Sequence, residues 1–127
     1  MGKNLLIVER DPLYRFVAAS LLQRAGYGTT KAGDNREALM IVSQAADSGR
    51  RFDLVLTDTS IRDVSGIVFL SEMKKGNCEI PVCAFSESRD MDLINELLHI
   101  GCDGIITKPF EPEQLVSFVD DIFNNPP

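Results

Sequence analysis

Short, wholly apolar stretches alternate with longer amphipathic ones about five times along these 127 residues, and that alternation leaves few folds open. Leu5-Leu6-Ile7-Val8 is a continuous apolar tetrad, the pattern of a strand buried on both faces. Asp11 then offers an N-cap, with Pro12 at the first helical position. Leu13, Phe16, Val17, Ser20, Leu21 and Ala25 follow at helical spacing, and Gly26 stops the helix. Residues 27–32 make a weak, polar strand that belongs at a sheet edge. Asp34 caps a second helix carrying Ala38, Leu39, Ile41, Val42 and Ala45.

Leu54-Val55-Leu56 repeats the buried-strand pattern and leads to Asp58. A third helix is expected over about 64–75, with Ile67, Val68 and Leu70 inward. Residues 80–85 form the fourth strand, with Pro81 near its start where a missing donor matters least. A helix over 91–100 ended by Gly101, a strand over 104–107 and a helix over 111–123 complete the pattern. Strict alternation with buried strands means a parallel sheet covered by helices on both faces. With the polar second strand at one edge, the expected fold is a flavodoxin-like, doubly wound α/β sheet of five parallel strands in the order 2-1-3-4-5. We expect one domain over 1–123, with 124–127 a tail or linker stump.

In such a sheet the ligand crevice lies beyond the carboxyl ends of the first and third strands. Glu9, Arg10 and Asp11 end the first strand and Asp58 ends the third, so their charges converge there. A carboxylate at that place can act as a nucleophile or a metal ligand. The net charge of −6 argues against nucleic-acid or anionic-membrane binding through bulk charge. No apolar run approaches the roughly 18 residues of a membrane span. Cys78, Cys83 and Cys102 show neither pairing nor metal spacing, which suits reduced thiols in a cytoplasmic protein, with Cys83 and Cys102 as small core residues. His99 lies on a polar helical stripe, and Met40, Met73 and Met91 fall at core-like spacing.

Five pieces in order resemble the receiver domain of two-component response regulators over essentially the whole chain. They are Ile7-Val8-Glu9-Arg10-Asp11-Pro12, Asp53-Leu54-Val55-Leu56-Thr57-Asp58, Asp63-Val64-Ser65-Gly66, Pro81-Val82 through Ser86, and Gly101 through Thr107-Lys108-Pro109-Phe110. The resemblance implies that Asp58 accepts a phosphoryl group from a histidine kinase or phosphotransfer protein, a signalling role rather than metabolic catalysis. It implies that Lys108, beside a cis Pro109 bond, holds the phosphoryl oxygens, and that Ser86 is the hydroxyl switch. It implies Mg²⁺ on Asp58, Glu9 and the backbone carbonyl of Ser60. It also implies output or homodimer contact through the fourth helix, fifth strand and fifth helix, where Met91, Leu98 and Ile105 lie.

Several residues depart from the family pattern. Arg10 stands where the family places its second acid, a direct metal contact. Three carboxylates and one lysine sum to −2, which a dication neutralises; Glu9 and Asp58 against Arg10 and Lys108 already sum to zero, so the drive to bind Mg²⁺ falls. Arg10 can instead fork onto Asp58, or Asp11 can turn inward as a substitute ligand in place of capping the helix. Glu87 sits at the mouth, Ile105 replaces the usual aromatic switch, and Arg62 replaces the usual proline after Asp58. Two function classes therefore remain open: a phosphorylated receiver with weakened metal help, and an unphosphorylated pseudo-receiver that binds partners. A small Mg²⁺ phosphohydrolase is disfavoured, because Ser60 stands where a second acid would be needed.

Overall fold

The apolar tetrad becomes an interior strand of the sheet and divides its side chains between two cores. In the computed structural model, which describes residues 2–59, 65–76, 79–87 and 91–125, β1 spans Asn4–Val8. Leu5 and Ile7 enter the cluster packed under α1 (Pro12–Arg24) and α5 (Pro112–Asn124). Leu6 and Val8 enter the cluster under α2 (Asn35–Asp47), α3 (Ser65–Gly76) and α4 (Met91–Ile100). A strand with helices on both faces has no polar side to show, so its sequence cannot alternate.

The remaining strands are β2 (Gly28–Ala32), β3 (Leu54–Thr59), β4 (Val82–Ser86) and β5 (Gly104–Thr107). All neighbours pair in parallel, in the order β2-β1-β3-β4-β5. The flavodoxin-like architecture expected from the alternation is therefore the one found, with polar β2 at an edge. The register places Asp58 opposite Phe85, and Thr59 beside Ser86, which in turn lies beside Thr107.

Local signals set the helix starts. Asp11 caps α1, its Oδ1 accepting the Leu13 N–H at 2.9 Å, and Asp34 caps α2 through the Glu37 N–H at 2.8 Å. Gly26 takes φ of +100° just after α1, a conformation that favours glycine. At the amino end of the sheet, Asp103 Oδ2 accepts from both Lys74 Nζ and the Val82 N–H at 2.8 Å, joining α3 to β4 and the start of β5. Cys83 and Cys102 are buried, as expected, and burial pushes both thiols up, which leaves them unreactive core residues.

Several helix faces differ from the expected ones. Leu13 and Phe16 are 68% and 64% exposed, and α1 meets the sheet through Ala18, Ala19 and Leu22. Those alanines let the helix lie close to the strands, which turns the larger side chains outward. On α3, Val68 is exposed, while Ile67, Phe69, Leu70 and Met73 pack inward. Leu39, Met40 and Met91 are likewise exposed rather than core, and only Met73 of the methionines assigned to packing is buried. The fourth strand begins at Val82, leaving Ile80 and Pro81 outside it. Helix α5 runs one residue past 123, to Asn124.

Candidate functional site

The carboxyl ends of β1, β3 and β5 bring two acids and a lysine together. Glu9 follows β1 directly, its N–H bonded to the Ala32 carbonyl at 3.0 Å, so its side chain turns back over the sheet end. It is 1% exposed, and both carboxylate oxygens are engaged. Oε2 lies 2.7 Å from Lys108 Nζ, and Oε1 accepts the Asp11 N–H at 3.1 Å. Arg15, one turn into α1, donates Nη1 to the Glu9 carbonyl at 2.9 Å.

Asp58 lies near the end of β3, and its Oδ1 is 3.3 Å from the same Lys108 Nζ. Lys108 follows β5, bonds its own N–H to the Ser86 carbonyl at 2.7 Å, and precedes a cis Pro109. Its ammonium therefore bridges the two carboxylates. The ring of Tyr14 on α1 stands 4.5 Å from Nζ and that of Phe85 on β4 stands 5.7 Å away. Beneath the site, Thr59 donates its hydroxyl to the Phe85 carbonyl at 2.9 Å, tying β3 to β4 beside Asp58.

Burial sets the titration of this group. Desolvation raises the Glu9 carboxyl above its usual range and the nearby Asp58 charge adds to it, while Lys108 and the Asp11 N–H pull the other way without cancelling. Burial alone would lower Lys108, but its bonds and attraction to Glu9 and Asp58 outweigh that and raise it. The lysine thus stays charged at neutral pH, and every buried side-chain nitrogen or oxygen among the described residues has a hydrogen-bond partner.

Of the residues expected at the site, the structure brings together Glu9, Asp58, Lys108 and Ser86. Ser86 is fully buried, with its carbonyl on the lysine N–H. Arg10 is exposed at the rim, and the ion pairs of Asp58 among the described residues hold no fork from Arg10; the cation on Asp58 is Lys108. The inner group of Glu9, Asp58 and Lys108 carries −1, and Arg10 at the rim adds one positive charge beside it. Asp11 caps α1, with Oδ1 on the Leu13 N–H. Glu87 is exposed just past β4. Ile105 is half-buried against the α3–α4 core, with Met91 and Leu98 exposed on α4. Ser60 and Arg62 lie outside the described residues.

Sequence reasoning missed Tyr14, Arg15, Phe85 and Thr59. Arg15 sits one turn after the Asp11 cap, a spacing that points it back at the first strand end. Nothing in the local pattern marks Tyr14 as facing a lysine in the last strand.

Among the described residues no cluster of three metal-binding side chains occurs, and Glu9 and Asp58 share the Lys108 ammonium.

Comparison with known proteins gives one consistent result. A family model described as the response regulator receiver domain matches residues 5–120. The phosphate regulon transcriptional regulatory protein PhoB of Pseudomonas aeruginosa is 30% identical over 119 residues, covering 92% of this chain and 50% of that protein. The chain thus spans about half the length of that relative. Sporulation initiation phosphotransferase F of Bacillus subtilis is 30% identical over 115 residues, covering 91% of this chain and 89% of that one. The chemotaxis response regulator CheY4 of Vibrio cholerae superposes with a TM-score of 0.81 at 25% identity, covering 96% of this chain and 99% of that chain.

Proposed function

This chain belongs to the response regulator receiver domain family, and from that membership we propose that it accepts a phosphoryl group on Asp58 from a histidine kinase or phosphotransfer protein. The single observation that carries the reading is the Lys108 ammonium held 3.3 Å from the Asp58 carboxylate at the sheet's carboxyl end. In the transfer, an Asp58 oxygen bonds to phosphorus as the P–N bond of a phosphohistidine breaks, and the imidazole nitrogen keeps the electron pair and takes up a proton. Attack by one anion on another needs cations to cancel the charge. The Lys108 ammonium beside Asp58 supports that role. Ser86 belongs to the same strand-end cluster, where its hydroxyl could follow the phosphorylated state.

The family generally binds Mg²⁺, and Glu9, Asp58 and the backbone of Ser60 are where it would sit here. The engaged carboxylates and Arg10 at the rim support weak binding. Calorimetry is expected to show Mg²⁺ binding at least roughly tenfold tighter in Arg10→Asp than in the wild type, because the change alters the site by two charges. Equal affinity in the two proteins removes the charge argument.

The same shortage of ligands favours a second reading, an unphosphorylated module that acts by binding partners. Intact mass after incubation with a small-molecule phosphodonor, with and without Mg²⁺, separates the two. The acceptor reading expects one phosphoryl adduct on the wild type and none on Asp58→Asn. An adduct absent from the wild type but present on Arg10→Asp selects the second reading. The exposed Met91 and Leu98 on α4 support contact with a second copy or an output partner through the α4–β5–α5 face.

A further inference from the structure

The Lys108 ammonium has two kinds of neighbour. Glu9 and Asp58 lie at 2.7 and 3.3 Å. The rings of Tyr14 and Phe85 lie at 4.5 and 5.7 Å. Phe110 adjoins both rings, its centroid 5.9 Å from each. A cation within about 6 Å of an aromatic face is attracted by the ring quadrupole, and more so where water is excluded. Lys108 is buried.

The two rings nearest the lysine do different work. Phe85 is a fully buried strand residue that packs into the core under α1 and α5, so its ring is accounted for there. Tyr14 is only half-buried and belongs to neither apolar cluster. Its ring meets Phe110 at the border of one cluster, and it is the ring closer to the charge.

We propose that Tyr14 is a positioning residue, whose ring face helps hold the Lys108 ammonium in place at the Glu9–Asp58 pair. The inference rests on Asp58 being the acceptor. An ammonium has three N–H donors. Glu9 and Asp58 take two of these, and the Tyr14 ring adds a further attraction to the charge. An aliphatic residue would remove that attraction and leave the ammonium less firmly held. The lysine would then meet the phosphoryl oxygens from a less fixed position. Arg10, Asp11, Arg15 and Arg24 are the other charged groups on the segment 10–24 that carries Tyr14; Asp11 caps α1 and Arg15 is bonded to the Glu9 carbonyl.

The test compares Tyr14→Leu and Tyr14→Phe with the wild type by two readouts. The first is the NMR signal of the Lys108 ε-methylene and ammonium, which a facing ring shifts upfield and shields from exchange. The shift and slow exchange are expected to persist in Tyr14→Phe and to vanish in Tyr14→Leu. The second is the rate of adduct formation with the small-molecule phosphodonor, expected to fall roughly threefold to tenfold in Tyr14→Leu and to stay near wild type in Tyr14→Phe. Unchanged Lys108 signals in Tyr14→Leu overturn the proposal. So do equal adduct rates in all three proteins, or equal losses in both variants, which would reflect packing alone. A wild type that forms no adduct defeats the acceptor reading, and the Lys108 signals still decide whether the ring holds the ammonium.

Discussion

Lys108→Met is expected to destabilise the protein by about 3–5 kcal/mol, because it strands a buried carboxylate without its cation. Glu9 is 1% exposed, and Lys108 supplies its only side-chain partner among the hydrogen bonds of the described residues. Methionine keeps the length and apolar stem of the lysine, so little of the loss comes from packing. The pH dependence identifies the cause. The folded Glu9 carboxyl already lies above its ordinary 4.5, so its protonation favours the folded state, and that contribution fades as the pH rises through the folded value. Removing the lysine lifts the carboxyl further and widens the window. The deficit of Lys108→Met should therefore be greatest near neutral pH and shrink as the pH falls toward the ordinary carboxylate range. Lys108 acts at the other end: its own folded value is above 10.5, so the stability it lends is complete below that pH and is lost above it, in the wild type alone. Denaturant melts across pH measure both, and the double variant Glu9→Gln, Lys108→Met should recover most of the neutral-pH loss. A deficit that does not change with pH excludes the stranded carboxylate as its origin.

Gly66→Ala should produce the second large effect. A Cβ built on Gly66 would stand 2.0 Å from the backbone carbonyl oxygen of Asp58 and 3.2 Å from Cα of Thr59. These are backbone atoms of a central strand paired on both sides, so they cannot step aside as a flexible side chain would. The start of α3 must move instead, at a cost of about 3 kcal/mol or more, since overpacking against rigid neighbours lies at the upper end of the usual range. The displaced atoms border the candidate acceptor, so the variant should also lose adduct formation while keeping a folded far-UV spectrum. Thermal melting together with the phosphodonor mass assay checks both. A Gly66→Ala protein as stable as the wild type would mean that α3 approaches β3 less closely than described.

The strands were legible because a sheet covered on both faces leaves continuous apolar runs, and Leu5-Leu6-Ile7-Val8 cannot be amphipathic in any register. Asp11 and Asp34 announced helices for an equally local reason, since a cap acts on residues two and three positions away. The helix faces were less legible. Leu13 and Phe16 fit an apolar stripe as well as Ala18 and Leu22 do, and only the depth at which α1 lies on the sheet separates them. At the site, the positions of Asp58 and Lys108 could be read from their motifs, but the shared ammonium could not. Its contacts join β1, β3, α1 and the turn after β5, and no local pattern encodes which of two acids a lysine will lie nearer. Tyr14 was missed for the same reason.

The Glu9–Lys108 contact joins residues 99 apart in sequence. Closing so long a loop is entropically unfavourable until the intervening strands have already shortened it. Until β5 joins the sheet, the carboxylate that follows β1 has no counterion from Lys108. A chain with β5 undocked has no completed acceptor site, so this pair ties chemical competence to the docking of a strand from the far end of the sequence.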